Sequence, residues 1–313
     1  AVGYYALGAN TTGTQNTALG MQALDACTTG SYNTAVGADA LSTSTTASFN
    51  DAFGRYALQD NTSGNNNSAF GVGTMMENTT GNENSGFGSN AVQQNTTGSY
   101  NVGVGRLALG ANTTGSRNTA VGTFALDGNT TVSDCTAVGA YALTAATTGG
   151  YNTAVGKDAL KANTTGANNV AVGYIALDAN TTGGQNTAVG KGALTSVTTG
   201  EDNTAVGFEA LRDNTATGNV ALGYGAGKTI TTGAYNTAVG NNALDATTTG
   251  AQNTSMGYNS LTSNTTGAYN TGVGYRALLN NTTADNNTAV GWDTLKANST
   301  GASNVAIGYM ALY

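Results

Sequence analysis

Asn152 to Asn168 reads NTAVGKDALKANTTGAN, and Asn169 to Gln185 repeats it as NVAVGYIALDANTTGGQ. Outward from this pair the same unit runs the length of the chain. Its fifth residue is a glycine that recurs every 17 residues from Gly3 to Gly207 and, after one step of 16, every 17 residues from Gly223 to Gly308. A period this short, held over nineteen copies, is too small for a pair of helices. It matches one coil of a β-solenoid, where each unit buries its apolar face by stacking on its neighbours. The expected fold is therefore all-β, a β-solenoid of about nineteen 17-residue coils, with residues 1–313 forming a single repeat body.

With the first Asn of the unit counted as position 0, the ruler glycine is position 4. Position 3 is apolar in every coil, as in Val36, Val121, Val155 and Val239, and position 1 is mainly Thr. β-Branched residues two apart read as one face of a short strand. Position 8 is Leu except at Met75, Val92 and Gly227. The core is accordingly expected to pair position 3 with position 8, Val155 and Leu160 in the quoted coil. Position 2 never exceeds Ser in size, so something approaches it closely, either the coil's own opposite wall or a neighbouring chain. The ruler glycine points to φ > 0 or to a backbone contact with no room for Cβ, whereas position 14 admits Ala47, Val132 and Ala284, against a left-handed conformation there. Asn fills position 0 except at Cys135, and a ladder of stacked amides is expected. Phe53, Phe70 and Phe87 at position 3 suggest a wider core with rings stacked along the axis. The coil near 214–228 is one residue short and carries Gly225 and Gly227, so a kink or packing defect is expected there.

Charged residues make up 9% of the chain and the net charge is -7, which leaves no basic stripe for nucleic acid. No apolar run reaches the ~20 residues of a membrane span. The chain begins at Ala1 and ends at Tyr313 inside a repeat, and is expected to be part of a longer fibre. Cys27 and Cys135 lie seven coils apart, too far to form a disulfide within one chain. There is no His, which removes Ser-His-Asp and Cys-His chemistry and the commonest metal ligand, and the carboxylates do not recur together as glycosidase acids would. No catalytic residue, cofactor site or metal site is expected.

Two candidate features remain. Tyr258, Tyr275, Trp292 and Tyr309 occupy position 5 in four consecutive coils, an aromatic stripe that either stacks on itself or offers a surface to a glycan or partner chain. Asn-Thr-Thr at positions 11 to 13 forms glycosylation sequons, among them Asn10, Asn112, Asn163 and Asn264, although Asn and Thr also suit a turn by bonding their own backbone. The paired Thr ladders raise ice binding, with the reservation that adjacent residues of an extended segment face opposite ways.

Asn304-Val305-Ala306-Ile307-Gly308 and Asn169-Val170-Ala171-Val172-Gly173 resemble the head repeats of trimeric autotransporter adhesins of the YadA type, and the full NTAVGxxALxxNTTG unit is similar to repeat tracts of bacterial and phage tail-fibre-like proteins. The resemblance implies a left-handed β-roll, three chains wound about an axis with the small position 2 residues facing it, and a role in adhesion to a surface glycan or host receptor. The period is longer than that of the adhesin heads, which implies an extra corner per coil. The reading is a non-enzymatic structural shaft or head of an extracellular fibre, at a cell surface or on a virion, associating with copies of itself as a homotrimer. The alternatives are a filament subunit stacking end to end, with Tyr309 and Tyr313 of one copy near Tyr4 and Tyr5 of the next, and an ice-binding β-solenoid.

Overall fold

A computed structural model describes residues 1–312; Tyr313, expected at an end-to-end contact, lies outside the described residues. The chain divides into two compact units, Ala1–Ala154 and Val155–Tyr313, built on the same plan. Each is a β-solenoid with one three-residue strand per coil. The eighteen strands run from β1 (Thr17–Leu19) to β18 (Val305–Ile307), and the described residues contain no helix, hence none long and apolar enough to cross a membrane. Within each unit a strand lies parallel to that of the next coil at a one-coil offset. Thr17 stands opposite Thr34 and Thr119 opposite Thr136 in the first unit, Thr187 opposite Thr204 and Thr288 opposite Val305 in the second.

The strand shows its faces in the opposite sense to the sequence reading. Position 2 is the buried one: Ala35, Ala120, Ala188 and Ala238 are fully inside, together with position 7, Ala in most coils and Ser260, Thr74 or Thr294 in others, and the Leu of position 8. Val155 and its equivalents at position 3 are half-exposed, on the same outer side as the Thr of position 1. A strand's alternation has two solutions, and a shift of one residue exchanges its faces. The coil's thinness decides between them. A Cβ added at Gly103, a position 2 glycine, would sit 2.5 Å from Cγ2 of Val92 in the preceding coil and 3.0 Å from the carbonyl oxygen of Ala108 in its own, so the chain's own opposite wall fills the space. The small residues therefore do not face an assembly axis. Phe53, Phe70 and Phe87 do stack along the coils, at ring separations of 4.8 and 4.9 Å, but on the outside; they widen no core.

The ruler glycine meets both of its expected reasons. Its φ lies near +140°, as in Gly54 and Gly207, and a Cβ on Gly156 would stand 2.5 Å from the Gly173 carbonyl oxygen of the next coil. Position 14 has no left-handed glycine, as its Ala and Val variants required. The next corner was not foreseen: positions 6 and 8 are left-handed at non-glycine residues, Asp39 with φ 59° and Leu41 with φ 51°, and the Leu of position 8 keeps this conformation in coil after coil. Such a conformation costs about 1 kcal/mol or more per L-residue. It turns successive amides toward opposite neighbours. Asp39 N–H donates to Met21 O of the preceding coil at 2.9 Å, and Leu41 N–H to Ala57 O of the following coil at 3.0 Å, while the Leu side chain enters the core.

The short coil causes no break in pairing. The missing residue falls between Asn214 and Asn219, and strand β13 (Val220–Leu222) pairs in register with the strands before and after it. Gly227 vacates the Leu slot, and Ile230, standing where most coils have Asn, fills it together with Leu211 of the preceding coil: a Cβ on Gly227 would meet Leu211 Cδ2 at 2.9 Å and Ile230 Cδ1 at 3.0 Å. Cys27 and Cys135 are both buried and free.

The interior assignment predicts a sharp contrast between neighbours. Ala120→Asp places an unpaired carboxylate against the opposite wall and should cost several kcal/mol. Val121→Thr, one residue on, should change stability by less than about 1 kcal/mol. Urea denaturation of the two variants measures both; equal losses would contradict the assigned faces.

Candidate functional site

The outward face of the strands carries two ladders. Position 3 holds Val in most coils, with Leu19, Phe53, Phe70, Phe87, Leu222, Met256 and Ile307 as variants, and is never polar, although its side chains reach solvent: Leu222 is 50% exposed and Met256 43%. Beside it, position 1 holds Thr or Val except at Asp51, Ser68 and Ser85, with Asp51 its only charge. Packing inside the coil gives no reason to keep position 3 apolar, since the core is made by positions 2, 7 and 8. Position 5, which is also exposed, accepts Lys157, Arg55, Asn241 and Ser89 among others. Within each unit this leaves a contiguous, half-exposed apolar strip along the coils.

Behind this face the asparagines are structural. Asn67 is fully buried; its Oδ1 accepts the backbone N–H of Asn84 at 3.0 Å, and its Nδ2 donates to Gly81 O at 2.9 Å and to Asn50 Oδ1 at 3.2 Å. A second ladder at position 11 repeats the device. Asn95 Nδ2 donates to Asn78 Oδ1 at 2.7 Å and to Gly98 O at 2.8 Å. Three of the four sequon asparagines singled out above belong to it. Asn112, Asn163 and Asn264 are fully buried and spend their Nδ2 on the carbonyl of the glycine three residues on, so in the folded chain that nitrogen is closed to a sugar. Asn10 makes the same bond to Gly13 from an exposed position. In all four the Asn closes a turn. The Thr of position 12 also bonds the next coil, Thr96 Oγ1 to Thr113 O at 3.0 Å, and the Thr of position 13, such as Thr97, is exposed. The two Thr ladders thus do not form one double rank.

The aromatic stripe assembles in part. Tyr258 stacks on Tyr275 at 5.4 Å and Tyr275 on Trp292 at 4.1 Å, whereas Tyr309, 74% exposed, joins no ring stack among the described residues. Rings stacked along the coils cover one another's faces and leave edges outward, which favours a corner brace over a stacking platform for a sugar ring. The Arg276 guanidinium lies 4.8 Å from the Tyr275 ring centre and pairs with Asp293, holding that carboxyl below the usual carboxylate range. Burial pushes the Cys27 and Cys135 thiols up, away from the thiolate form that reacts. The described residues enclose no cavity and gather no cluster of three potential metal ligands.

No protein-family model and no curated protein matches the chain.

The position 11 ladder breaks at Val197, and Asn180 Oδ1, which an Asn there would address, is buried without a partner. Val197→Asn should supply the missing donor and also reach Gly200 O. The expected gain is about 1 kcal/mol, seen as a raised thermal midpoint; a lowered midpoint would contradict the ladder's role.

Proposed function

We propose that the chain is a non-enzymatic structural element, the shaft or head of an extracellular fibre at a cell surface or on a virion, which associates with copies of itself. The observation that carries this is the outward ladder of position 3, apolar in every coil and half-exposed. A second copy is the simplest cover, because it brings the same strip with the same coil spacing, and a repeat surface gains contact with every coil added. The likeness of the NVAIG and NVAVG segments to adhesin head repeats favours three copies. The face that packs is the Thr and Val side of the strands, not the small residues of position 2. Attachment to a glycan or receptor would belong to variable exposed positions such as 5 and 16.

A second reading is ice binding. It draws on the same face, where Thr of position 1 and Val of position 3 stand two residues apart on one strand side, the spacing that the Thr-Thr turns do not provide.

Light scattering of the purified chain tests the first reading and counts the copies. The unmodified chain should be multimeric. Val121→Glu with Val138→Glu should leave the circular dichroism unchanged and reduce the mass to that of a monomer. An unmodified chain that is already a stable monomer would contradict self-association, and thermal hysteresis in the same sample would then support ice binding.

A further inference from the structure

Two columns on the outward face vary together. Position 1 is Thr or Val in every coil except three, where it is Asp51, Ser68 and Ser85. These are the coils whose position 3 is Phe53, Phe70 and Phe87, on the consecutive strands β3 (Asp51–Phe53), β4 (Ser68–Phe70) and β5 (Ser85–Phe87). Elsewhere on the face position 3 is aliphatic, Val, Leu, Met or Ile. The rings lie nearly parallel, at 7° and 3° to one another, and present their edges outward; Phe53 is 37% exposed and Phe87 42%. The first unit therefore carries a raised column of three rings beside a column that is lowered at Ser68 and Ser85 and charged at Asp51, both changes confined to the same coils.

We propose that this triplet fixes how two copies meet: parallel and axially in register, with Phe53, Phe70 and Phe87 of one copy set against Asp51, Ser68 and Ser85 of the other. This rests on the self-association reading above. When two such faces meet about a symmetry axis along the stacking direction, the rotation exchanges the ladders, and position 3 of each copy opposes position 1 of the other. In register, each raised column enters the lowered one. A slip of one coil sets Phe87 against Val102 and, on the reciprocal side, Ser85 against Val104, overpacking one place and leaving a void at another. An antiparallel arrangement brings like ladders together, so the rings of one copy never meet the serines of the other. The remaining Thr and Val coils are nearly alike and tolerate any whole-coil slip, so without the triplet the copies would have no preferred register.

Disulfide trapping between separately tagged chains tests this, in a C27N/C135N background that restores the repeat's own Asn at both native thiols. V121C mixed with T119C should cross-link, since in-register ladders bring these positions within disulfide reach, and V121C mixed with T136C, one coil away, should not. Replacing the triplet and its partners by the repeat residues (F53V, F70V, F87V with D51T, S68T, S85T) should leave the multimer mass unchanged and yield both cross-links. Equal cross-linking of the two pairs in the unmodified face, or a single register surviving the replacement, would overturn the inference while multimers persist. A monomeric chain by light scattering would remove the inference together with the self-association it rests on.

Discussion

Every coil must sit one strand spacing from the next all the way round its perimeter, and most of the chain's composition follows from that requirement. At the ruler position the carbonyl of one glycine occupies the place where the preceding glycine's Cβ would be, so no other residue fits. At positions 0 and 11 a buried Asn amide satisfies both neighbours at once, and where Asn follows Asn at position 0 the backbone N–H, as in Asn84, Asn101 and Asn186, finds a side-chain oxygen instead of a carbonyl. A buried amide left without these partners would cost about 1–3 kcal/mol. Identical residues in adjacent coils are the simplest way to avoid that cost. The repetition is thus a hydrogen-bonding necessity before it is anything functional.

Where a coil departs from the consensus, a second change within reach offsets the first. Ile230, with Leu211, fills the volume that Gly227 gives up. Ser255 replaces the Ala of position 2 where Ser260 replaces that of position 7, and the two buried hydroxyls bond each other across the coil. Val197 has no such partner change and leaves Asn180 Oδ1 unsatisfied. Compensation therefore operates between side chains that touch across one coil, or between a coil and its immediate neighbour, as expected where each unit contacts only adjacent units.

The solenoid, its period, the Leu core, the free cysteines and the Asn ladder were legible because each is stated by a residue type recurring at one interval. The strand's facing was not, because Thr-Ala-Val allows either side to be inside. The size limit at position 2 held the answer: with both walls one residue thick, the interior has room for Ala and not for a Val ladder as well. The left-handed Leu of position 8 carried no signal at all, since bulky residues are the poorest candidates for positive φ and only the demand for amides pointing both ways selects it. The Asn-Thr-Thr sequons illustrate the reverse case, a pattern that suits a modification and a turn equally until Asn112 and Asn163 are seen to lie inside. Phe53, Phe70 and Phe87 were read as core for the same reason as Val155, and the correction moves them to the surface on which association is proposed.

Amide hydrogen exchange at the position 0 asparagines probes the ladder most directly, because the backbone N–H groups of Asn84, Asn101, Asn186 and Asn203 donate to side-chain oxygens of the preceding coil at 2.9–3.0 Å and to nothing in regular secondary structure. These four amides should be protected to the same degree as those of the adjoining strands, opening only when the stacked coils open. Exchange at the rates of an unfolded chain, with the strand amides still protected, would show that the asparagines do not knit the coils together.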